Sequence, residues 1–134
     1  MRRAALVVLV ALGVFSVSCA RSAIDPELLC RHWVQSYEEQ RSDDRERIFR
    51  PAGFKTFPPS RFRMDYKFGR DGGLEWLFLS PDDAHRFKSG TWAVDPKDGA
   101  VLRITTDEAT ESYRVTALTA DQLRWVRVEP ENGN

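Results

Sequence analysis

Cysteine and histidine are scarce in this chain of 134 residues, which carries only two of each. Two cysteines exclude the multiply cross-linked framework of a disulfide-stabilised small domain. Cys30 and His32 would share one face of a strand, but no third ligand is visible by spacing, and a structural zinc site takes about four ligands. We therefore expect no metal site and no cofactor.

A surplus of charge of either sign is also missing, because 20 basic side chains are balanced by 20 acidic ones. A protein that binds nucleic acid through its phosphates needs an excess of lysine and arginine. Removal of an N-terminal segment that carries Arg2 and Arg3 would make the remainder slightly acidic. We expect no nucleic-acid partner.

Recognisable catalytic motifs are absent. Ser80 and His85 lie close in sequence to carboxylates, but nothing marks Ser80 as a nucleophile, and a serine before proline is typical of a helix cap. Glu38 and Glu39 are adjacent, so on a strand they would face opposite ways and could not act as an acid/base pair. We expect a protein that is not an enzyme.

The longest apolar run is too short to cross a membrane. It covers residues 4–15, whereas a transmembrane helix needs about 20 apolar residues. Arg2 and Arg3 precede the run and small residues follow it, which is the pattern of a secretory signal. The sequence therefore predicts export from the cytoplasm.

Val17, Ser18 and Cys19 resemble the lipobox of bacterial lipoproteins, in which the cysteine is acylated after cleavage. This resemblance implies a lipid anchor on Cys19 and a place in the cell envelope. Cleavage after Ala20 is the alternative, since Ser18 and Ala20 fit the rule for soluble secretion or release into a periplasm. We assign residues 1–19 to the signal and 20–27 to a tether.

Alternation of polar and apolar residues dominates the rest of the chain. Between residues 61 and 68 the even positions are apolar and the odd positions are charged, which is typical of a strand between a core and water. Glycines at 69, 72 and 73 favour a turn into a second strand at 74–80. These two strands predict a hairpin.

Further strands are predicted throughout residues 28–130, with 131–134 as a tail. They cover residues 32–39, 47–50, 90–95, 100–106, 111–119 and 123–129. Residues 51–60 are expected to form a long loop, and residues 80–89 could hold one helical turn. About eight short strands joined by short loops favour an all-β, antiparallel up-and-down barrel, with an open sandwich as the alternative.

The chain resembles the lipocalin-like group of small secreted barrels. The residues that carry the resemblance are Leu29, Trp33, Tyr37, Tyr66, Phe68, Gly90, Thr91, Trp92 and the final strands from Tyr113 to Val128. The resemblance implies that an arginine of the last strand, Arg124 or Arg127, stacks on Trp33 to close the barrel. It also implies binding of small apolar molecules.

Several aromatic and basic residues are candidates for a ligand site. Arg61 and Arg63 could bind an acidic group at the barrel mouth, or they could be surface charges that pair with a neighbour such as Glu75. The aromatic candidates are Phe54 and Phe57 in the long loop, as a lid or a contact patch, and Tyr66, Trp76 and Trp92 as pocket lining. Two hypotheses follow: a carrier of a small apolar or amphipathic molecule, or a module that binds or inhibits an envelope protein.

Overall fold

A computed structural model describes residues 23–82 and 84–130. The predicted signal with Cys19 and the predicted tail at 131–134 lie outside the described residues. The regular elements are helix α1 (Pro26–Leu29), a 3₁₀ helix (Tyr37–Glu39) and eight strands: β1 (His32–Gln35), β2 (Glu46–Pro51), β3 (Asp65–Phe68), β4 (Gly73–Leu79), β5 (His85–Asp95), β6 (Asp98–Thr105), β7 (Thr110–Leu118) and β8 (Leu123–Val128).

The eight strands form one closed antiparallel barrel, which confirms the predicted fold class and excludes the open sandwich. From β3 to β8 each strand pairs with the next one along the chain, and β1 pairs with both β2 and β3. The barrel closes through β2 and β8, where Ile48 lies opposite Arg124. Closure leaves no sheet edge among the described strands to recruit another chain.

Three local predictions were wrong. β1 ends at Gln35 rather than at 39, because the chain turns into the 3₁₀ helix. β3 begins at Asp65, so residues 61–64 precede the strand. The predicted helical turn at 80–89 is instead a tight turn, in which Ser80 N–H donates to the Ala84 carbonyl at 3.1 Å, followed by the long strand β5.

The connection between β2 and β3 is not a simple hairpin. Both strands run antiparallel to β1, which lies between them, so β2 and β3 point the same way. Residues 52–64, here called the crossover segment, must therefore travel the height of the barrel. Hydrogen bonds from Ala52 N–H to the His32 carbonyl and from Lys55 to Ser36 fix it along β1.

One end of the barrel is closed by residues 23–31. Ile24 N–H donates to the Gly99 carbonyl at 2.9 Å, and both Ile24 and Leu29 are buried in the core. Asp25 caps α1 by accepting from Glu27 N–H, and Pro26 occupies the first turn, where its missing N–H costs nothing. The predicted tether at 20–27 is therefore wrong from Ile24 onward, since this part belongs to the domain.

Cys30 was predicted to lie on a strand, on the same face as His32. It instead ends α1 and is only partly buried, with a free thiol. Burial raises the pKa of this thiol. Because Cys30 precedes β1, it does not share a strand face with His32.

Aromatic side chains fill the middle of the barrel around Trp125, which is 1 % exposed. The Trp125 ring lies 4.6 Å from the Tyr113 ring and 4.7 Å from the Phe49 ring, measured between centroids. Tyr66 and Phe68 complete the cluster. Such contacts add about 0.5–1.5 kcal/mol per pair beyond area burial, so this cluster is a main source of stability.

A close backbone approach explains the glycine at position 90. A Cβ atom there would lie 2.5 Å from the carbonyl oxygen of Thr105, the last residue of the neighbouring strand β6. No side chain fits at that distance without a shift of the backbone. Glycine at position 90 therefore allows β5 to lie close to the end of β6.

A second, smaller buried region lies on the outer face of β1 and β2. Val34 and Ile48 face away from the central core, yet they are 9 % and 6 % exposed. Next to them Lys55 bonds to Ser36 Oγ at 2.9 Å and to Glu38 at 2.8 Å. The crossover segment is thus attached by polar contacts close to this apolar patch.

Five charged residues form the network that holds the crossover segment. Lys55 and Arg63 contact Glu38, at 2.8 and 3.0 Å, and Arg50 pairs with Glu39 at 2.6 Å. Partial burial alone would raise the pKa of Glu38, but hydrogen bonds from Lys55 and Arg63 outweigh it and lower the pKa to about 2. The bond from Arg50 lowers the pKa of Glu39 to about 2, against partial burial.

We expect this network to lose its contribution in acid. Since the pKa values of Glu38 and Glu39 are lower in the folded protein, the stabilisation is complete above about pH 4.5 and disappears as the pH falls toward 2. Allowing for solvent screening, the pair should contribute about 1–3 kcal/mol. Urea unfolding at a series of pH values measures this loss.

The Glu38→Gln/Glu39→Gln variant should be less stable at pH 7 and should show a flatter stability profile between pH 4.5 and 2. Glu75→Gln is the control, because Glu75 is exposed and only approaches Lys67 at 4.0 Å. An unchanged acid slope in the double variant would show that other carboxylates cause the acid sensitivity.

Candidate functional site

The end of the barrel opposite α1 is open. It is bordered by the loop before β2, by residues 61–64, and by the turns that join β4 to β5 and β6 to β7. Here the interior forms a recess with two lobes, which share Met64, Tyr66 and Tyr113 as lining residues. The floor of the recess is the aromatic cluster around Trp125.

The first lobe, here called the arginine lobe, has a volume of about 270 Å³. It combines an aromatic floor with a basic rim. Its lining consists of Gln35, Tyr37, Arg45, Arg47, Phe49, Phe62, Met64, Tyr66, Tyr113, Trp125 and Arg127. This mixture of apolar walls and a few polar groups is typical of small-molecule sites.

The second lobe, here called the glutamate lobe, has a volume of about 180 Å³. It is lined by Met64, Tyr66, Trp76, Ile104, Thr106, Glu108, Ala109, Glu111 and Tyr113. Its charged side chains are acidic, in contrast to the arginines of the first lobe. The recess is therefore electrostatically asymmetric.

Polar contacts connect residues of the two lobes. Tyr113 Oη donates to Glu111 at 2.5 Å, and Arg127 pairs with Glu111 at 2.7 Å. Burial raises the pKa of Tyr66 to about 12 and raises the pKa of Tyr113 as well. Both phenols are therefore neutral at physiological pH, and the Glu111 charge is neutralised by Arg127.

Arg45 and Arg47 differ from the other arginines of the recess. Both side chains are exposed at its rim, and within residues 23–82 and 84–130 neither forms an ion pair with a carboxylate. Arg47 Nη1 only approaches the Asp44 carbonyl, at 3.4 Å. Their guanidinium groups thus keep donors that a bound molecule can use.

Two of the predicted pocket residues line the recess and one does not. Tyr66 lines both lobes and Trp76 lines the glutamate lobe. Trp92 lies toward the closed end, where its Nε1–H donates to the Gly69 carbonyl at 2.8 Å and its ring meets Phe68. Trp92 therefore has a structural position rather than one at the open end.

The four candidates of the crossover segment do not line either lobe of the recess. Phe54 is 46 % exposed and packs against Arg50, whereas Phe57 is partly covered by Lys55 and Arg63. Arg63 is bonded to main-chain oxygens and to Glu38, so its donors are occupied. Arg61 is exposed to solvent. Neither arginine lines a lobe of the recess, Arg63 pairs with Glu38, and Glu75 contacts Lys67 instead of an arginine. Ligand binding by Arg61 and Arg63 stays a prediction.

The guanidinium over Trp33 comes from a different arginine than the resemblance implied. Arg31 lies 5.6 Å from the Trp33 ring, while Arg124 pairs with Glu46 and Arg127 pairs with Glu111. Trp33 is fully buried, and its Nε1–H donates to the Leu29 carbonyl at 2.9 Å. The closed end is therefore sealed by the chain immediately before β1.

Sequence reasoning did not identify the arginines of the recess. Arg47 shares the parity of Phe49 along β2, so an inward-facing Phe49 implied that Arg47 points into the opening, and Arg45 lies in the loop just before the strand. The strand was predicted only for residues 47–50, without a face assigned to it. Phe62 was seen as part of a core stripe, but it lines the arginine lobe and meets the His85 ring.

A larger concavity of about 640 Å³ lies between residues 23–28 and β7. Its two charged side chains are already engaged, because Asp25 caps α1 and Arg114 pairs with Asp98 at 2.8 Å. No unpaired polar group of the described lining converges there to orient a ligand. The smaller recess at the open end is the better candidate site.

The fold and the recess define a closed β-barrel with a polar, aromatic opening. Comparison with protein-family models, with curated proteins and with solved structures finds no match. No helix in residues 23–82 and 84–130 is long and apolar enough to span a bilayer. Histidine, cysteine and carboxylate side chains in this part of the chain form no group of three that could hold a metal ion.

Proposed function

We propose that this protein binds a small amphipathic molecule in the recess at the open end of its barrel. The observation that carries the proposal is the contrast between the two ends of the interior. Toward α1 the barrel is packed with buried side chains, whereas at the open end Tyr66, Tyr113 and Trp125 line an accessible recess with polar groups at its rim. Apolar walls with a few converging polar groups favour ligand binding.

The size of the recess limits the ligand. Ligand pockets commonly enclose about 300–1,000 Å³, and each lobe falls below that range. The Trp125 cluster blocks access to the lower half of the barrel. The ligand is therefore small, or only its end enters the recess while the remainder contacts solvent.

We also propose that the protein works in the cell envelope. The support is the sequence pattern of residues 1–20, with Cys19 as the acceptor of a lipid anchor. Expression in a bacterial host followed by membrane fractionation tests this. The wild-type protein should be in the membrane fraction, and Cys19→Ala should be soluble in the periplasm or secreted.

An uncharged fluorescent probe, N-phenyl-1-naphthylamine, tests ligand binding. We expect its emission to rise and saturate with the wild-type protein. Met64→Trp should abolish the increase, because Met64 lines both lobes. Leu79→Trp is the matched control, since Leu79 is 40 % exposed. Equal binding by both variants would exclude the recess as the binding site.

A protein-interaction module remains the second proposal. The exposed aromatic rings of Phe54 and Tyr37, at 46 % and 39 % exposure, favour it, whereas the partial cover over Phe57 does not. A failure of the wild-type protein to bind an apolar probe would favour this second proposal over ligand binding. Pull-down from envelope extracts with wild type and Phe54→Ala then distinguishes a specific contact at this ring from background.

A further inference from the structure

We infer that the bound molecule is an amphipathic acid, whose carboxylate or other acidic group is held by Arg45 and Arg47. This inference rests on the proposed function and specifies the chemistry of its ligand. Its basis is the juxtaposition, in one lobe, of an aromatic floor and two arginines without a carboxylate partner among the described residues. A ligand with a negatively charged head and an uncharged body matches both the two arginines and the aromatic floor of the lobe.

Strand β2 sets the distance between the aromatic floor of the lobe and the arginines at its rim. Phe49 faces inward and is 2 % exposed. Arg47 lies on the same face, two residues before Phe49 in the chain and closer to the opening. Two strand residues span about 7 Å, so one side chain belongs to the core and the next to the rim. A ligand that rests on Phe49 and Trp125 therefore brings its head to the level of Arg47.

Within the described lining of this lobe, Arg45 and Arg47 are the arginines without a carboxylate partner. Arg127, the third arginine of this lobe, is paired with Glu111, and Arg124 on the outside of β8 is paired with Glu46. Guanidinium groups bind carboxylates through two parallel hydrogen bonds, and partial exclusion of water beside aromatic rings strengthens such bonds. The two rim arginines are suited to an acidic group for this reason.

The acidic side chains of the glutamate lobe determine the orientation of the ligand. Glu108 and Glu111 line that lobe, and an acidic head placed there would be repelled. Glu111 already has Arg127 and Tyr113 as partners, and Glu108 lies 3.9 Å from Lys88. The head of the ligand consequently lies toward β2, and its body lies toward Tyr66 and Trp125.

Three probes with the same eight-carbon chain separate the head from the body: octanoate, 1-octanol and octylammonium. Binding is measured by titration calorimetry with the full chain and followed by tryptophan fluorescence, since Trp76 and Trp125 line the recess. We expect the wild-type protein to bind octanoate at least about tenfold more tightly than 1-octanol, and octylammonium most weakly.

The Arg45→Gln/Arg47→Gln variant should lose this preference. Its dissociation constant for octanoate should rise about tenfold or more, while that for 1-octanol changes less than about twofold. Arg61→Gln is the matched control, because Arg61 is exposed on the crossover segment and does not line either lobe. Circular dichroism verifies that all variants are folded.

The outcomes distinguish the two proposals. If the wild-type protein binds none of the three probes and no naphthylamine probe, the proposed ligand-binding function fails. If it binds 1-octanol as tightly as octanoate, or if the double variant keeps the preference for octanoate, binding stands and the acidic head is wrong. A loss of preference in Arg61→Gln alone would move the anion site to the crossover segment.

Discussion

Replacing Trp125 with alanine is expected to lower the free energy of unfolding by about 3–5 kcal/mol, the largest effect of any single change considered. Trp125 is 1 % exposed, and its ring contacts four other aromatic rings. Its removal leaves a cavity in the middle of the barrel that the surrounding strands cannot close. For a domain of this size such a loss approaches the whole stability.

Urea unfolding followed by circular dichroism measures this effect. Phe54→Ala is the matched control, because it also removes an aromatic ring, but one that is 46 % exposed and contacts Arg50 from outside. The control should cost about 1 kcal/mol or less. Similar losses in both variants would show that the cluster around Trp125 does not dominate the stability of the core.

Replacing Arg63 with methionine should lower the free energy of unfolding by about 2–3 kcal/mol. Arg63 donates to the carbonyls of Gln35 and Pro58, at 2.7 and 2.8 Å, and pairs with Glu38 at 3.0 Å. Its side chain is 14 % exposed. The variant leaves these oxygens without their donor and loosens the attachment of the crossover segment to Gln35 and Glu38.

Arg61→Met provides the control for this prediction. It lies two residues before Arg63, is exposed to solvent, and should change stability by less than about 0.5 kcal/mol. Limited proteolysis gives a second measurement, since a loosened crossover segment should be cut within residues 52–64. If both variants unfold at the same urea concentration, the polar contacts of Arg63 are not what holds this segment.

The two ends of the barrel differ in packing and in polarity. At the closed end, Ile24 and Leu29 complete a packed core, and Arg31 covers Trp33. At the open end, polar groups enter the barrel and the packing ends, which lowers the local burial but creates the recess. Stability therefore comes mainly from the lower half, and variants of the rim arginines should test ligand binding without unfolding the protein.

The sequence was sufficient for the strand pattern of the second half of the chain. From β4 to β8, alternation of apolar and polar residues and short polar connections are local signals, and each strand pairs with its neighbour. Local signals of this kind also predict closure, because a series of antiparallel strands otherwise leaves two edges. The one error there was the turn at Ser80, where a serine before proline is compatible with both a helix cap and a tight turn.

The first half of the chain could not be predicted in the same way. The placement of β1 between β2 and β3 depends on contacts between residues far apart in sequence, such as Trp33 with Pro51 and with Tyr66. The crossover segment is held by side chains such as Arg63, whose partners Gln35 and Glu38 lie 28 and 25 residues away. Alternation carries no information about such partners.

The sequence by itself determined the all-β class, the number of strands and the supply of aromatic residues for one core. Only the tertiary structure decided which charges face the opening. Arg63 and Arg47 both lie beside apolar residues in sequence, yet Arg63 is bonded on the outside and Arg47 lines the recess. The register of β2 decides the position of Arg47, because a one-residue change in strand register moves each side chain to the other face. Arg63 lies before β3, and its bonds to Gln35 and Glu38 decide its position.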